Sequence, residues 1–433
     1  MRYVYAYNIL LFIAAFFFIP YYGMKIVLTG KYRRSIGPKL GFVPPGARRG
    51  MEGSPRIWVH AVSVGEVTAA APIVSELREL FPHACIVVST STETGQEMAQ
   101  RLITDATAFI YYPLDIPFVS RKVLRRVNPD VFVPVETEIW PNFIRICRER
   151  GIKIVMVNGR ISPRSFKRYV KTRALWRYVL AWVDAMGMIS SVDAARLRAI
   201  GVASSRISIV GNAKYDSLAA RADTSLEEEI RKKLHVVCGS RVFVAGSTHD
   251  GEEKVVIGVY ERLLEVYPDF ILIVVPRHIE RSGEVRTLLE ERGFSDCITM
   301  SEINQRKGRH GARVILVDVI GELFKVYGLA TVVFCGGSLV HRGGQNILEA
   351  AAWGKVIFYG PSMEDFMAEK HLLEEVGAGI EVTGEDNLTE EILSLLARPE
   401  ALRRRGAAGR HVVNDNMGAS RRYAEMIQKV ISR

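Results

Sequence analysis

The chain has 433 residues, of which 48% are hydrophobic and 24% charged, and its formal net charge at pH 7 is +11. This composition is typical of a folded globular protein and excludes extensive disorder. The length exceeds what one hydrophobic core usually supports, so it predicts two domains. The positive charge favours an anionic partner, but the chain has no basic-aromatic strand motif of the RNA-binding kind, and we expect no nucleic acid partner.

The first thirty residues are predicted to form a membrane anchor. No charged residue occurs from Ile9 to Tyr22, and apolar character extends over about residues 4–28, a length that can span a bilayer. Six basic residues follow before the first acid, Glu52, so the positive-inside rule places the rest of the chain in the cytoplasm. No small-residue cleavage site follows, which favours a retained anchor. A helix lying in the membrane interface and a buried core helix are the alternatives.

Short apolar runs alternate with helical stretches from Arg56 onward, which is the pattern of a parallel sheet covered by helices. A first series of predicted strands comprises Ile57–Val59, Cys85–Ser89, Ala108–Tyr111, Val131–Val135, Ile154–Val157 and Ala185–Ile189. A second series comprises Val242–Gly246, Phe270–Val275, Val314–Val317, Thr331–Cys335 and Val356–Phe358. The fold class is therefore α/β, with Rossmann-like domains over residues 31–207 and 208–433. The last two helices are expected to pack back across the cleft between the domains.

A glycine-rich loop follows the predicted strand Thr331–Cys335 and precedes a predicted helix, Gln345–Trp353. Glycines let the backbone approach a ligand closely, and a helix N-terminus favours an anion, so the loop amides are predicted to hold a phosphate. Glu349 would then accept hydrogen bonds from ribose hydroxyls. The alternative is an ordinary strand-to-helix connection of a parallel sheet. The glycine spacing matches neither the dinucleotide fingerprint nor the P-loop, which disfavours hydride transfer and ATP hydrolysis.

Polar residues follow nearly every predicted strand, where ligands of open α/β sheets bind. Glu66 follows the first strand at a predicted helix start, where an acid is also favoured by the helix dipole alone. Glu136 and Glu138 follow the fourth strand beside Trp140. Further along the chain, Lys214 and Arg277 are candidate ligands of phosphate or carboxylate, and each could equally be a solvated surface cation.

The cysteines and histidines show no pattern of metal ligands. Five cysteines are scattered singly without C-x-x-C spacing, and the histidines form no H-x-H or H-E-x-x-H motif. The cysteines are interpreted as small core residues of a reduced compartment. We therefore expect no metal and no cofactor.

Seven segments, taken together and in this order, resemble the 3-deoxy-D-manno-octulosonic acid (Kdo) transferases of lipopolysaccharide synthesis. The segments are HAVSVGE (His60–Glu66), ETEIWPN (Glu136–Asn142), NGRIS (Asn158–Ser162), GNAKYD (Gly211–Asp216), GSTHDGEE (Gly246–Glu253), VPRH (Val275–His278) and GGSLV (Gly336–Val340). The resemblance implies a GT-B glycosyltransferase fold, a CMP-Kdo donor in the second domain, a lipid A precursor as acceptor against the first, and inversion without a metal. It also implies that the chain works at the inner membrane.

The resemblance assigns roles to individual residues. Glu66 is the predicted general base, and its place at a helix N-terminus leads us to expect a lowered pKa. The predicted acceptor-binding residues are Ser63, Glu136, Glu138, Trp140, Asn142 and Arg160. The predicted donor-binding residues are Lys214, Ser247, Thr248, Arg277, Gly321, Glu322, Gly336, Gly337, Ser338, Asn346 and Glu349.

The chain departs from the family pattern at Gln345, where the family usually has histidine, so no role is assigned to that residue. Two other readings stay open. One is a GT-B enzyme that uses a UDP-sugar, and the other is a non-catalytic, membrane-tethered nucleotide-binding module. Inhibition by CMP rather than UDP would exclude the first, and loss of activity on replacing the strand-end acids would exclude the second.

Overall fold

The computed structural model describes residues 4–5, 7–13, 16, 33–44, 46, 50–306, 308–309 and 311–432. The chain forms two compact units, Met1–Ser217 with Asn416–Arg433 and Leu218–Asp415. Much of the predicted anchor, residues 1–30, lies outside the described part. Within the described part, no helix is both long enough and apolar enough to cross a membrane.

The first unit is built on a sheet of seven parallel strands in the order β3-β2-β1-β4-β5-β6-β7. The strands are β1 (Arg56–His60), β2 (Cys85–Thr90), β3 (Ala108–Tyr111), β4 (Val131–Pro134), β5 (Lys153–Gly159), β6 (Ala185–Met188) and β7 (Ile207–Ile209). The central strands are rich in β-branched residues and buried on both faces, because helices cover both sides of a parallel sheet.

Helices precede, connect and follow these strands. They are α1 (Arg33–Lys39), α2 (Val64–Leu80), α3 (Glu93–Leu102), α4 (Pro117–Val127), α5 (Pro141–Glu149), α6 (Pro163–Lys171), α7 (Arg173–Leu180), α8 (Ser191–Ile200) and α9 (Lys214–Arg221). Proline stands at the start of α4, α5 and α6, where its missing N–H costs no helical hydrogen bond.

The second unit has its own parallel sheet, in the order β10-β11-β9-β8-β12-β13-β14. Its strands are β8 (Val242–Thr248), β9 (Ile271–Pro276), β10 (Ile298–Thr299), β11 (Val314–Leu316), β12 (Val332–Cys335), β13 (Ile357–Tyr359) and β14 (Gly379–Glu381). Its helices are α10 (Thr224–Lys233), α11 (Glu252–Val266), α12 (Ser282–Glu291), α13 (Met300–Arg306), α14 (Leu323–Leu329), α15 (Leu348–Ala352), α16 (Met367–Glu375), α17 (Glu385–Leu396) and α18 (Pro399–Asp415).

The last helix, α19 (Ala419–Ile431), returns to the first unit. Tyr423 and Ile427 are fully buried in the first unit's core, and the Tyr423 hydroxyl donates to the carbonyl of Gly211 at 2.8 Å. The carboxylate of Asp216 accepts from the backbone amides of Gly418 and Ser420, which fixes the start of the helix.

The predicted fold class of two parallel α/β units is confirmed, but the domain limits differ from the prediction. Residues 208–217 and 416–433 belong to the first unit and not to the second. The reason is that β7 pairs with β6 and that α19 buries its apolar face against the first unit's core. The strands β7, β10 and β14 were not predicted, because each has two or three residues of which no more than two are apolar, which gives no recognisable apolar run.

Candidate active site

Polar residues at the strand ends of both units adopt an unusual backbone conformation. Glu136 follows β4 with φ +60°, Asn158 lies near the end of β5 with φ +52°, and Ser247 lies near the end of β8 with φ +56°. A residue other than glycine held at positive φ costs roughly 1–3 kcal/mol, so the surrounding structure must enforce it. For Asn158 the enforcing contact is a 2.9 Å hydrogen bond from the Ala213 amide to its Oδ1. Such strained positions often mark functional sites.

Glu66 lies in the first turn of α2, just beyond the carboxyl end of β1. Its side chain is 8% exposed, and its Oε2 accepts a 2.6 Å hydrogen bond from the Val62 amide. Burial raises the pKa of Glu66 to about 8, and the nearby Glu136 and Glu138 add to the rise, against the hydrogen bond from Val62. The expected lowering by the helix N-terminus is therefore wrong, because loss of hydration outweighs the favourable dipole.

Two further carboxyl groups follow β4, the strand that pairs with β1. Glu136 accepts a 3.0 Å hydrogen bond from Lys214 Nζ, and the two form an ion pair. Burial raises the pKa of Glu138, and the charge of Glu136 raises it further. The structure thus brings Glu66, Glu136 and Glu138 close enough to repel one another. It also places Lys214, which was assigned to the donor, beside an acid of the first unit.

The other four predicted acceptor-binding residues differ from one another in their surroundings. Ser63 is half-buried at the start of α2, with its Oγ 3.4 Å from Glu66 Oε1. Trp140 is 36% exposed, and Arg160 accepts a 2.6 Å hydrogen bond from the Thr137 hydroxyl on its main-chain oxygen. Asn142 is fully buried, and its amide group is bonded within the protein. The structure therefore gives Asn142 a supporting role and not a contact with the acceptor.

His60 and Tyr112 are buried neighbours of this site that the sequence analysis left without a role. Their rings stack at 3.8 Å, and His60 Nδ1 lies 3.1 Å from the carbonyl oxygen of Ser89. Burial lowers the pKa of His60 to about 3, so the ring is neutral. Among the described residues, neither His60 Nε2 nor the Tyr112 hydroxyl has a hydrogen-bond partner. The signal available in the sequence was the polar residue that ends an otherwise apolar strand.

The glycine-rich loop of the second unit is occupied by a carboxylate of the protein itself. Glu252, at the start of α11, is 1% exposed. Its two oxygens accept hydrogen bonds from the amides of Gly337, Ser338, Leu339 and His249 at 2.7–3.0 Å. The prediction that these loop amides hold a phosphate is therefore wrong. The backbone amides of Gly337 and Ser338, which were predicted to bind the donor, bind the carboxylate of Glu252 instead.

Other predicted donor-binding residues are also internal. Ser338 and Thr248 are fully buried, and the Ser338 hydroxyl donates to the Cys335 carbonyl and accepts from the Gly360 amide. At Gly336, an added Cβ would lie 2.5 Å from the Ser247 carbonyl oxygen, so glycine is required there for close packing. These three positions therefore support the strand ends by packing and by internal hydrogen bonds.

The predicted helix after the glycines is shorter than expected. It begins at Leu348 and not at Gln345, and it ends at Ala352. Asn346 Nδ2 donates to Glu349 Oε1 at 3.2 Å, and both side chains are half-buried. Gly321, with φ +92°, leads into Glu322, whose carboxylate lies 3.2 Å from Lys233 Nζ.

Arg277 directly follows β9 and is exposed. Its amide donates to the Thr248 carbonyl at 2.9 Å, which ties the end of β9 to the end of β8. Its guanidinium forms no ion pair with any residue that the structure describes. An exposed, unpaired guanidinium at a strand end can bind a phosphate or carboxylate in two-pronged fashion.

The described residues contain no group of three or more His, Cys, Asp or Glu side chains placed to hold a metal ion. The carboxyl groups around Glu66 can instead accept a proton, and the cations at the strand ends can bind anions. A group transfer that uses acid-base catalysis needs both a proton acceptor and a site for anions.

Comparison with known proteins gives a family. Residues 34–217 match the family model described as 3-Deoxy-D-manno-octulosonic-acid transferase. The chain is 31% identical to a 3-deoxy-D-manno-octulosonic acid transferase of Haemophilus influenzae, over 99% of this chain and 98% of that protein. It is also 31% identical to the enzyme of the same name from Chlamydophila psittaci, over 87% of this chain and 84% of that protein.

The fold is shared more widely than the sequence. The crystal structure of UDP-GlcNAc 2-epimerase from Neisseria meningitidis matches with a TM-score of 0.60 and 14% identity, over 86% of this chain and all of that one. At this identity the likeness shows only the fold. The near full-length match at 31% identity carries the assignment, and this chain belongs to the 3-deoxy-D-manno-octulosonic acid transferase family of glycosyltransferases.

Proposed function

We propose that this protein is an inverting GT-B glycosyltransferase that moves Kdo from CMP-Kdo to a lipid A precursor at the cytoplasmic face of the inner membrane. Membership of the 3-deoxy-D-manno-octulosonic acid transferase family supports Kdo as the transferred sugar. The observation that carries the mechanism is Glu66, a buried carboxyl group held by the Val62 amide at a strand end, with its pKa raised to about 8. A general base works best when its pKa lies near the operating pH.

The proposed chemical step is a displacement at the anomeric carbon of Kdo. A hydroxyl group of the acceptor gives its proton to the Glu66 carboxylate while its oxygen forms the new bond to the anomeric carbon. The bond from that carbon to the phosphate oxygen breaks, and its electron pair leaves with CMP. The neighbouring carboxylates Glu136 and Glu138 raise the proton affinity of Glu66, and Lys214 limits their mutual repulsion through its ion pair with Glu136.

The donor carries negative charge on its phosphate and on the Kdo carboxylate, and both need cations or amides. We assign Arg277 to one of these anions, because its guanidinium is exposed at the end of β9 and forms no ion pair with a described residue. Asn346 and Glu349 are assigned to the nucleotide. The amides of Gly337, Ser338 and Leu339 are excluded from this role, since Glu252 occupies them.

A phosphorylated lipid acceptor fits the charge of the first unit. Residues 150–183 contain nine Lys and Arg and no Asp or Glu. On α6 and α7, six of these cations are exposed and form no ion pair with a described residue: Arg164, Lys167, Arg168, Lys171, Arg173 and Arg177. A cluster of this kind attracts phosphate groups of a lipid or of a membrane surface.

The test is a transfer assay with CMP-Kdo and a detergent-dispersed lipid A precursor, read by mass spectrometry of the lipid. We expect the product to gain the mass of one or more Kdo units. CMP should inhibit and UDP should not, and transfer should persist in EDTA. Transfer from a UDP-sugar, or complete inhibition by EDTA that magnesium reverses, would contradict the proposal.

A further inference from the structure

The N-terminal segment makes polar contacts with the first unit. Residues 4–5 and 7–13 are helical. Within this helix the Tyr7 hydroxyl donates to Asp115 Oδ2 at 2.9 Å. The amide groups of Asn8 and Asn142 bond to each other twice, Asn8 Nδ2 to Asn142 Oδ1 at 3.1 Å and Asn142 Nδ2 to Asn8 Oδ1 at 2.7 Å. A segment that served only to hold the protein in a membrane would not need paired, directional contacts of this kind.

The residues that receive these contacts fix the start of α5. Asp115 accepts the amide of Phe143 at 2.7 Å on Oδ1 and the amide of Asn142 at 3.1 Å on Oδ2. It therefore caps α5 from a distant part of the chain, a role that the residue before the helix, Trp140, does not fill with its own side chain. Asn142 also donates to the Asp115 carbonyl at 2.8 Å. Asp115 is 5% exposed and Asn142 fully buried, so these bonds are shielded from water.

The start of α5 directly follows the segment Glu136–Trp140. In that segment, Glu136 is held at φ +60°, and Glu136 and Glu138 raise the pKa of Glu66. Because Trp140 is bonded directly to Pro141, the first residue of α5, a shift of α5 also moves the end of this segment. The helical residues 4–5 and 7–13 are therefore connected to the candidate acceptor residues in two steps, first through Asp115 and Asn142 and then through α5.

The same helix has a second, apolar side. Ile9, Phe12 and Ile13 are each more than 50% exposed, whereas Tyr7 and Asn8 are half-buried against the protein. One side of the segment is thus available to an apolar surrounding, and the polar pair faces the first unit. The two sides can act independently of each other.

We propose that Tyr7 and Asn8 are positioning residues of the acceptor site, which hold the Glu136–Trp140 segment in place by completing the Asp115 and Asn142 network. The proposal rests on the proposed function, in which this segment binds the acceptor. Loss of a contact from the N-terminal helix then loosens the segment without touching the donor residues of the second unit.

The test compares Tyr7→Phe with Tyr5→Phe in the full-length protein. The two changes are chemically identical and two residues apart, but Tyr5 is 67% exposed. Hydrogen exchange of the peptide that covers residues 136–149 should speed up in Tyr7→Phe and stay unchanged in Tyr5→Phe. The KM for the lipid acceptor should rise about tenfold, the effect of losing one hydrogen bond to a carboxylate, while the KM for the donor stays the same. Asn8→Ala should repeat this pattern.

Flotation with liposomes provides the control for membrane attachment, which Tyr7→Phe should leave unchanged. Unaltered exchange at residues 136–149 in both Tyr7→Phe and Asn8→Ala would overturn the positioning role, as would an equal rise of both KM values. Absence of Kdo transfer by the unaltered chain would instead refute the proposed function, and the exchange experiment separates the two failures because it needs no activity.

Discussion

Glu66 in the first unit and Glu252 in the second occupy related places. Each follows the first long central strand of its unit and lies in the first turn of the next helix, and each is less than 10% exposed. Glu252 accepts four backbone hydrogen bonds, which use both of its oxygens. Glu66 accepts one strong backbone bond and faces two other acids. We infer that the four donors hold Glu252 in a structural role, whereas the single backbone donor leaves Glu66 able to accept a proton.

The largest expected effect is on the rate of the Glu66→Gln variant. Removing the proton acceptor while keeping the size of the side chain should lower kcat by about 10²–10⁴-fold. Binding of CMP, measured by calorimetry, should stay close to that of the unaltered protein. A variant that retains more than about a tenth of the rate would make Glu66 a structural acid like Glu252, and the base would then be sought at Glu136 or Glu138.

Glu252→Gln should instead lower the stability of the folded protein. The neutral amide offers one acceptor oxygen and turns an NH₂ group towards backbone N–H donors, so we expect a loss of about 2–5 kcal/mol in the free energy of unfolding. Denaturant unfolding of Glu252→Gln and Glu66→Gln side by side gives the comparison. Equal stability of the two variants would contradict the structural role assigned to Glu252.

The pH dependence of the rate should show the raised pKa of Glu66. Because the base must be ionised, kcat/KM should rise about tenfold per pH unit and level off above pH about 8. This rising limb of the kcat/KM profile below pH about 8 should be absent from the residual activity of Glu66→Gln. A flat profile from pH 6 to 9 in the unaltered protein would argue against a base with this pKa.

The same group should make the unfolding free energy depend on pH. Burial raises the pKa of Glu66 from 4.5 to about 8, so its stabilising contribution is fully present below pH 4.5 and is lost as the pH rises through 8. The difference in unfolding free energy between the unaltered protein and Glu66→Gln should therefore change with pH in this window.

The smallest expected effect is that of Glu136→Gln on the rate profile. Removing this carboxylate takes away a charge that raises the pKa of Glu66, so the limb of kcat/KM should move to lower pH. Thr94→Val, a change on an exposed side chain of α3, should leave the limb where it is. Release of Lys214 from its ion pair would act in the same direction, so a shift to higher pH in Glu136→Gln would contradict the assigned effect of the Glu136 charge on Glu66.

Much of the fold could be predicted because it depends on local pattern. Long apolar strands such as Lys153–Gly159 and Val242–Thr248 stand out against their helical neighbours, and all eleven predicted strands are present. The position of Glu66 was found in the same way, from an acid that follows a strand. The sign of its pKa shift could not be found, since burial depends on the neighbours that the fold supplies.

The sequence by itself determined the two parallel sheets, the family and the polar residues that follow the strands, because each of these features depends on residues that are contiguous in the chain. Only the tertiary structure decided which of those polar groups are free. It placed Glu252 among the amides of a loop 85 residues away, paired Lys214 with Glu136, and joined Asn8 to Asn142. The physical reason is that a hydrogen bond depends on the distance and direction between two groups in space. A local sequence pattern does not determine which residue from a distant part of the chain will lie within that distance.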